Sequence, residues 1–489
     1  MLFNSLEFLI FFPIVTLVYF LIPQKYRYLW LLGASYYFYS CWNAQYALLM
    51  ATSTVITYLS GVFISRAKTE RGRKLSVAVS FILNLAILFY FKYFYFTMDN
   101  INLVRGLFGL SDLEAKFDVI LPVGISFYTF QALSYTVDVY RKDIEPEKNI
   151  LRYALFVSFF PQLVAGPIER SKNLLTQLRE EHKFDYLRAR NGLLVMLWGF
   201  FLKLVIADRA AILVNTVYDK SSEFSGAILA LATVAFAVQI YCDFSSYSLI
   251  AKGAARVMGF EIMDNFRQPY FSTSIAEFWR RWHISLSSWF KDYLYIPLGG
   301  NRKGTFRKYM NLMIVFLVSG LWHGASWNFV IWGALHGIYQ IFGGLTNNAR
   351  RFCSDILKID RKTSHFRLFQ QIITFSLVTF GWIFFRSEGL TQAVTVIKKI
   401  FTGFDVWTLW SGITEMGLDS ANIIVLILSI AMLIFVSKKE QAGVNVFERV
   451  EKMHILARWH VYFVLLFVVL IFGIYGPGFE ASQFIYFQF

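Results

Sequence analysis

Two histidines set among tryptophan and glycine are the side chains best suited to acid–base chemistry. His323 follows Trp322 within an apolar segment, and His336 lies thirteen residues further on. An ionisable residue in such a segment is costly, so it predicts a functional site. Near neutral pH a histidine can take a proton from an acceptor hydroxyl that attacks a thioester carbonyl, and burial between Trp322 and Trp327 would favour the neutral, basic ring. We predict that His323 is this base; the alternative is a structural histidine bonded to a carbonyl of a neighbouring helix.

Asp243 places a carboxylate deep in an apolar run, within a further cluster, 239–248, at a predicted helix end. A buried carboxylate must be paired or hydrogen-bonded. Asp243 therefore either orients a catalytic histidine or locks helices together.

The densest polar cluster of the chain occupies residues 277–303 and contains a third histidine, His283. Tryptophan and tyrosine alternate there with arginine and lysine, as in segments that lie at a membrane interface. One interpretation is an interfacial anchor with snorkelling cations. The other is a cradle for a phosphate-bearing acyl donor, where Gly299 and Gly300 let the backbone approach closely. The residues of this second interpretation are Trp279, Arg280, Arg281, Arg302 and Lys303.

The sequence does not indicate a metal site or a disulfide framework. The histidines lack the spacing of a zinc-binding HExxH motif, and no acidic residue accompanies His323 and His336 locally. The three cysteines, Cys41, Cys242 and Cys353, are scattered along the chain, and we expect all of them to be reduced.

The composition is that of a membrane protein. Of 489 residues, 56% are hydrophobic and only 16% are charged, which a soluble domain could not hide in one core. Apolar stretches near the length of a bilayer span recur, and we predict about 11 transmembrane helices. Examples of these stretches are 3–21, 77–96, 192–205, 368–385 and 459–475. The first lacks a basic region and a cleavage site, so it predicts a retained helix rather than a signal peptide.

The net charge of +15 is interpreted as a signal of topology rather than of nucleic-acid binding. The basic loop 66–74 should be cytoplasmic, and the acidic loop 99–118 should face the exterior. Alternation then places the loops around 170–190, 280–308, 350–367 and 438–458 in the cytoplasm. The N-terminus and the tail 476–489 should be outside.

The central third of the chain differs from its flanks. Between residues 121 and 336, glycine, proline and charged residues interrupt the apolar segments. Irregular backbone at membrane depth is tolerated only where protein or a water-filled cavity satisfies it, so a cavity is expected there. We interpret the chain as one integral domain, 1–489, with its catalytic region at about 121–340.

Several blocks, taken in order, resemble the membrane-bound O-acyltransferase superfamily, in particular its alginate and peptidoglycan O-acetyltransferases. The matching blocks are 121–127 (Leu-Pro-Val-Gly-Ile-Ser-Phe), 166–168, 241–245, 279–301, 321–325 and 381–386. By this resemblance His323 matches the near-invariant catalytic histidine, and His283 and His336 match further family histidines. Cys242 stands where family members often carry phenylalanine.

The resemblance also implies a fold, a donor and a partner. It implies an all-α bundle with re-entrant or interfacial helices around a central tunnel that connects the two membrane faces. Such a protein, in the inner (plasma) membrane, takes an acyl group from a cytoplasmic thioester, here expected to be acetyl-CoA. An exported esterase-like partner of the SGNH kind then completes the transfer onto sugar hydroxyls.

Four functions remain open at this stage. Acetyl transfer to an exopolysaccharide such as alginate leads, followed by peptidoglycan O-acetylation and then by D-alanyl transfer to teichoic acid. The alternative of another class is a transporter or lipid flippase with a polar midplane site. A transporter would more naturally show two halves with matched broken helices, whereas here the interruptions cluster in the middle.

The tail 476–489 is too aromatic to be left in water and too short to cross the membrane again. It therefore has to dock, either as an aromatic anchor at the outer interface or within the outer mouth of the tunnel. In the second case the hydroxyl of Tyr486 is offered to the acyl group and relays it. The tail resembles the tyrosine-bearing tail of a small partner in related D-alanylation systems.

Overall fold

A computed structural model describes residues 1–114, 121–164, 166–412, 415–476 and 485. Every regular element within these ranges is helical, which confirms the all-α fold class. The α-helices are α1 (Leu6–Leu21), α2 (Gln24–Ser40), α3 (Ala44–Arg66), α4 (Glu70–Leu88), α5 (Phe94–Leu107), α6 (Ile125–Tyr140), α7 (Ile150–Ser158), α8 (Phe160–Leu163), α9 (Ser171–Gln177), α10 (Tyr186–Phe200), α11 (Asp208–Asp219), α12 (Gly226–Met258), α13 (Ile275–Arg281), α14 (Ile284–Phe290), α15 (Gly304–His323), α16 (Trp327–Leu345), α17 (Asn347–Ile356), α18 (Ser364–Arg386), α19 (Leu390–Thr402), α20 (Thr408–Ser411), α21 (Ser420–Gln441), α22 (Val446–Glu451) and α23 (Ile455–Phe472). Three π-helical turns, Phe89–Tyr93, Phe201–Ala207 and Lys291–Tyr295, and a 3₁₀ turn, Pro269–Phe271, complete the set.

Hydroxyl side chains define where several of these helices begin. Ser274 accepts a hydrogen bond from the amide of Glu277 at the start of α13, and Ser326 accepts one from Asn328 at the start of α16. Such a cap satisfies one of the amides that a helix start leaves without a partner and stabilises the helix by about 1 kcal/mol. The caps therefore fix where α13 and α16, two helices of the predicted catalytic region, begin.

Six helical stretches among the described residues are long and apolar enough to cross a membrane. They are Ala44–Arg66, Glu70–Leu107, Gly226–Met258, Ser364–Arg386, Ser420–Gln441 and Ile455–Phe472. The predicted spans at 77–96 and 368–385 lie within two of them. The predicted span at 192–205 instead runs through α10 into a π-helical turn that leads to α11. The total of about 11 spans stays a prediction.

The helices group into two compact units. The first consists of residues 1–193 and 250–263, and the second of residues 194–249 and 264–489. In the first unit α3 packs against α4 and α6, and the buried hydroxyl of Tyr153 donates to Thr57 Oγ1 at 2.8 Å. That the whole chain forms one functional domain stays a prediction.

In the second unit α15 and α16 pack together more closely than side chains would normally permit. A Cβ atom added at Gly320 would overlap the carbonyl oxygen of Phe329, and one at Gly333 would overlap that of Phe316. Only glycine allows two helix backbones to approach in this way at these positions. The close contact fixes His323, at the end of α15, relative to His336 on α16.

Candidate active site

His323 is the last residue of α15 and is buried among aromatic rings. The centroid of its ring lies 5.0 Å from that of Trp322, 4.9 Å from Trp332 and 5.4 Å from Phe385, each in edge-on geometry. Trp327, which was expected to flank it, is half-exposed at the start of α16. Trp332, one turn further along α16, packs against the imidazole.

His283 lies beside His323, with 6.4 Å between the ring centroids. It is completely buried and has a left-handed backbone, with φ of 43°, immediately before α14. Its Nδ1 lies 3.1 Å from Oδ1 of Asn265, and the hydroxyl of Ser285 donates to the same oxygen at 2.9 Å. The loop conformation therefore turns His283 into the helix cluster and fixes its ring there.

The contacts of Asn265 determine the tautomer of His283. The backbone amide of Ser285 also points at Asn265 Oδ1, at 3.3 Å, and an amide can only donate. The atom it faces must therefore be the side-chain oxygen and not the nitrogen, which instead donates to Ser248 Oγ at 3.2 Å. His283 Nδ1 must then carry the proton, so Nε2 of the neutral ring is the nitrogen that can accept a hydrogen bond.

His336 has the opposite tautomer. The indole Nε1–H of Trp279 donates to His336 Nδ1 at 3.2 Å, and since an indole is only a donor, Nδ1 must accept. The proton of the neutral ring is then on Nε2, which faces Gly381 of α18 so closely that a Cβ there would lie 3.0 Å away. Trp332 contacts the rings of both His336 and His323, at 4.9 Å from each. The structure thus brings the three predicted histidines into one aromatic cluster.

Both carboxylate oxygens of Asp243 have partners, and neither of these is a histidine. Lys203 Nζ donates to Oδ1 at 2.6 Å and also lies 2.9 Å from Asp208, while the backbone amide of Ile485 donates to Oδ2 at 2.8 Å. Asp243, Lys203, Asp208 and Ile485 are all buried. Of the two roles considered for Asp243, the geometry favours locking of elements over orientation of a histidine.

Lys203 and Asn265 were not identified as site residues from the sequence. Lys203 lies in the apolar stretch 192–205. A charged residue in such a stretch indicates a paired or functional site, as it did for Asp243, so Lys203 could have been identified in the same way. Asn265 lies in the loop after α12, where an asparagine is unremarkable. Nothing in the sequence distinguishes it.

The two cavities described beside α13 do not bring the five predicted donor-binding residues together. Arg280 and the buried Trp279 line a largely apolar cavity of about 340 Å³, whereas Arg281 pairs with Glu277 at 2.6 Å and lines a second, polar cavity. Arg302 and Lys303 are exposed in the turn before α15 and line neither of these two cavities. Gly299 and Gly300, both with positive φ, form the bend of this turn, which Asn311 holds by donating to the carbonyl of Gly300 at 2.9 Å.

Tyr486, the predicted acyl relay, lies outside the described residues. Its neighbour Ile485 is described, and it is buried with its amide on Asp243. No group of three or more metal-ligating side chains occurs in the part of the chain that the structure describes.

A helical membrane protein with a buried histidine cluster at the end of α15 is consistent with an acyltransferase, and comparison with known proteins identifies the family. The model of the membrane-bound O-acyltransferase family matches residues 36–355. This chain belongs to that family and is a multi-pass membrane O-acyltransferase.

Individual relatives share most of its length. A protein of Azotobacter vinelandii named "Probable alginate O-acetylase AlgI" is 39% identical over 433 residues, which are 88% of this chain and 83% of the relative. The peptidoglycan O-acetyltransferase of Helicobacter pylori is 36% identical and covers 76% of this chain and 73% of its own length. A teichoic acid D-alanyltransferase of Streptococcus thermophilus is 27% identical over 57% of this chain and 70% of its own.

Proposed function

We propose that this protein moves an acetyl group from acetyl-CoA in the cytoplasm across the inner membrane, for O-acetylation of an exopolysaccharide such as alginate by an exported SGNH-like partner. The observation that carries the chemistry is the pair of adjacent buried histidines, His323 and His283, the second with a fixed tautomer. The extent of the similarity to the alginate O-acetylase supports the acyl group and the acceptor.

In the proposed reaction His323 is the general base. It takes the proton of an acceptor hydroxyl while the hydroxyl oxygen attacks the thioester carbonyl, and a new C–O bond forms. The C–S bond then breaks, and the departing thiolate takes the proton from the His323 imidazolium. In this scheme His283 Nε2, which can only accept in the neutral ring, accepts a hydrogen bond from a water beside the acceptor oxygen, because the single proton of the acceptor hydroxyl goes to His323.

The acceptor hydroxyl in this scheme belongs to Tyr486. Support comes from Ile485, the residue before Tyr486 in the sequence, which is buried with its amide on Asp243 in the helical unit that holds the histidines. The product would be a tyrosyl ester, from which the exported partner transfers the acetyl group to the polysaccharide. Docking as an anchor only is the competing role of the tail.

Peptidoglycan O-acetylation is the second candidate function, favoured by the similarity to the Helicobacter pylori enzyme. D-alanyl transfer has less support because the similarity to the teichoic acid enzyme is weaker and covers less of the chain. The two leading functions differ in the polymer that carries alkali-labile acetate. Release of acetate from separately purified exopolysaccharide and peptidoglycan, in cells with and without this protein, decides between them.

Replacement of His323 tests the chemistry. His323→Ala should lower envelope O-acetylation by about 10²–10⁴-fold, the usual effect of losing a general base. His365→Ala is the matched control, since His365 is exposed at the start of α18 and should not matter. Acetate released from the envelope is the measurement, with the amount of protein in the membrane measured in parallel. Normal acetylation by His323→Ala would refute the assignment.

A further inference from the structure

A polar cavity of about 540 Å³ lies beside α13, separate from the histidine cluster. Three basic side chains line it, each from a different helix: Arg281 of α13, Arg367 of α18 and Lys438 of α21. Glu277 is the one acidic residue of the lining, and Gln371 and Gln441 add side-chain amides. The lining is therefore polar and predominantly cationic.

The carboxylate of Glu277 is already satisfied. One oxygen pairs with Arg281, and the other accepts hydrogen bonds from the amide and the hydroxyl of Thr273, at 2.8 and 2.7 Å. Arg367 and Lys438 form no ion pair within the described residues. The lining thus keeps two uncompensated positive charges, which suits a ligand with about two negative charges.

Helix geometry at the cavity supports the same ligand. The first residue of α18, Ser364, lines the cavity, and α18 has 23 residues. The N-terminus of a long helix carries a partial positive charge and is a common binding site for phosphate. The C-terminus of α21, at Gln441, opposes this effect, but Lys438 in its last turn offsets the opposing charge.

By the predicted topology, the cavity lies on the cytoplasmic side of the membrane. The start of α18 and the end of α21 adjoin the basic loops at 350–367 and 438–458, both predicted to be cytoplasmic. Helix α13 also connects the cavity to the histidine cluster. Its residue Arg281 lines the cavity, and Trp279, two residues earlier, donates to His336. A ligand bound at Arg281 would therefore contact the helix that positions His336.

We propose that this cavity binds a phosphate monoester or diphosphate group. If the proposed function holds, that group belongs to the thioester donor, and Arg281, Arg367 and Lys438 hold the phosphates of coenzyme A. An anionic lipid headgroup presents the same chemistry, so the test has to separate the two sources.

Binding is measured with the free thiol coenzyme A on the full-length protein in phosphatidylcholine nanodiscs, and with spin-labelled phosphatidic acid, whose headgroup is a phosphate monoester, on the protein in detergent. The variant is Arg367→Gln with Lys438→Gln. Its control, Lys362→Gln with Lys439→Gln, removes the same charge close to the same helix ends from residues that do not line the cavity. The first pair should weaken coenzyme A binding by about ten-fold or more, and the control by less than about two-fold.

Each result has one meaning. If only the binding of phosphatidic acid weakens in the cavity variant, the phosphate site stands and its ligand is a lipid headgroup. If neither ligand is affected more than in the control, the proposal is overturned. Neither measurement requires turnover, so the cavity is tested even if His323→Ala shows that the proposed reaction is wrong.

Discussion

His283, beside His323, and His336, on α16, differ in which ring nitrogen carries the proton. Asn265 forces the proton of His283 onto Nδ1, and Trp279 forces that of His336 onto Nε2. His283 therefore presents an acceptor nitrogen next to His323, whereas the acceptor nitrogen of His336 is occupied by the indole. We expect His283 to act in the reaction and His336 to hold α13 against α16.

Asn265 is accordingly predicted to be a positioning residue. Asn265→Leu removes the oxygen that fixes the His283 tautomer and should lower kcat by about 10²-fold, with little change in the KM for the donor, since a misplaced catalytic group slows the chemical step. Ser248→Ala removes only the partner of the Asn265 amide nitrogen and should retain most of the activity. Steady-state kinetics of purified variants measures both. An effect of Asn265→Leu on KM alone would contradict this role.

Tyr486→Phe separates the two roles of the tail. The substitution keeps nearly all of the packing area and deletes the hydroxyl, so a relay loses O-acetylation whereas an anchor retains it. We expect loss of activity with normal protein levels, together with acetyl on Tyr486 of the parent by mass spectrometry. Phe487→Leu, which alters the neighbouring ring but no hydroxyl, is the control. Full acetylation by Tyr486→Phe would leave the tail only its anchoring role.

At the scale of helices, a buried charge cluster connects the C-terminal region to the π-helical turn after α10. Lys203 of this turn joins Asp243 of α12 to Asp208 of α11. Arg209 donates to the carbonyl of Phe472 at the end of α23, at 2.8 Å, and the amide of Ile474 donates to the carbonyl of Leu204 at 2.9 Å. These bonds hold the chain after α23 against the turn that carries Lys203.

Removal of Lys203 should therefore destabilise the protein. Lys203→Met leaves two carboxylates buried without their cation, and breaking a buried ion pair from one side costs about 3–5 kcal/mol. Lys203→Met combined with Asp243→Asn removes one of these charges and should recover part of the loss. Thermal unfolding in detergent measures both variants. A Tm of Lys203→Met equal to that of the parent would show that the cluster does not stabilise the fold.

The same elements show how far the sequence could lead. The composition predicted a membrane protein, because the fraction of apolar residues depends on the sequence alone. The resemblance of the ordered blocks to a known family predicted the all-α fold and the acyltransferase activity. The partner of Asp243 could not be predicted, since Lys203 is 40 positions away and only the packing of α12 against the turn after α10 joins them. The hydrogen bond that fixes the His283 ring depends on the conformation of the loop that contains Asn265, and an asparagine in the sequence does not predict that conformation.

For the whole molecule, the direction of transfer depends on topology. The turn with Arg302 and Lys303 is predicted to face the cytoplasm, where acetyl-CoA is available. With the exposed Cys41 and Cys353 changed to serine, Asn301→Cys should react with a membrane-impermeant maleimide only after the cells are opened. Labelling of intact cells would reverse the topology, and with it the access of the donor.

Acetyl transfer by the purified protein tests the central claim most directly. The protein, reconstituted in vesicles with radiolabelled acetyl-CoA on the side of residue 301, should acquire label in a hydroxylamine-sensitive ester that an added exported partner removes. His323→Ala should acquire less label by a factor of about 10² or more, while His365→Ala should acquire as much label as the parent. Equal labelling of the parent and His323→Ala would contradict an acyl transfer that depends on the buried histidine at the end of α15.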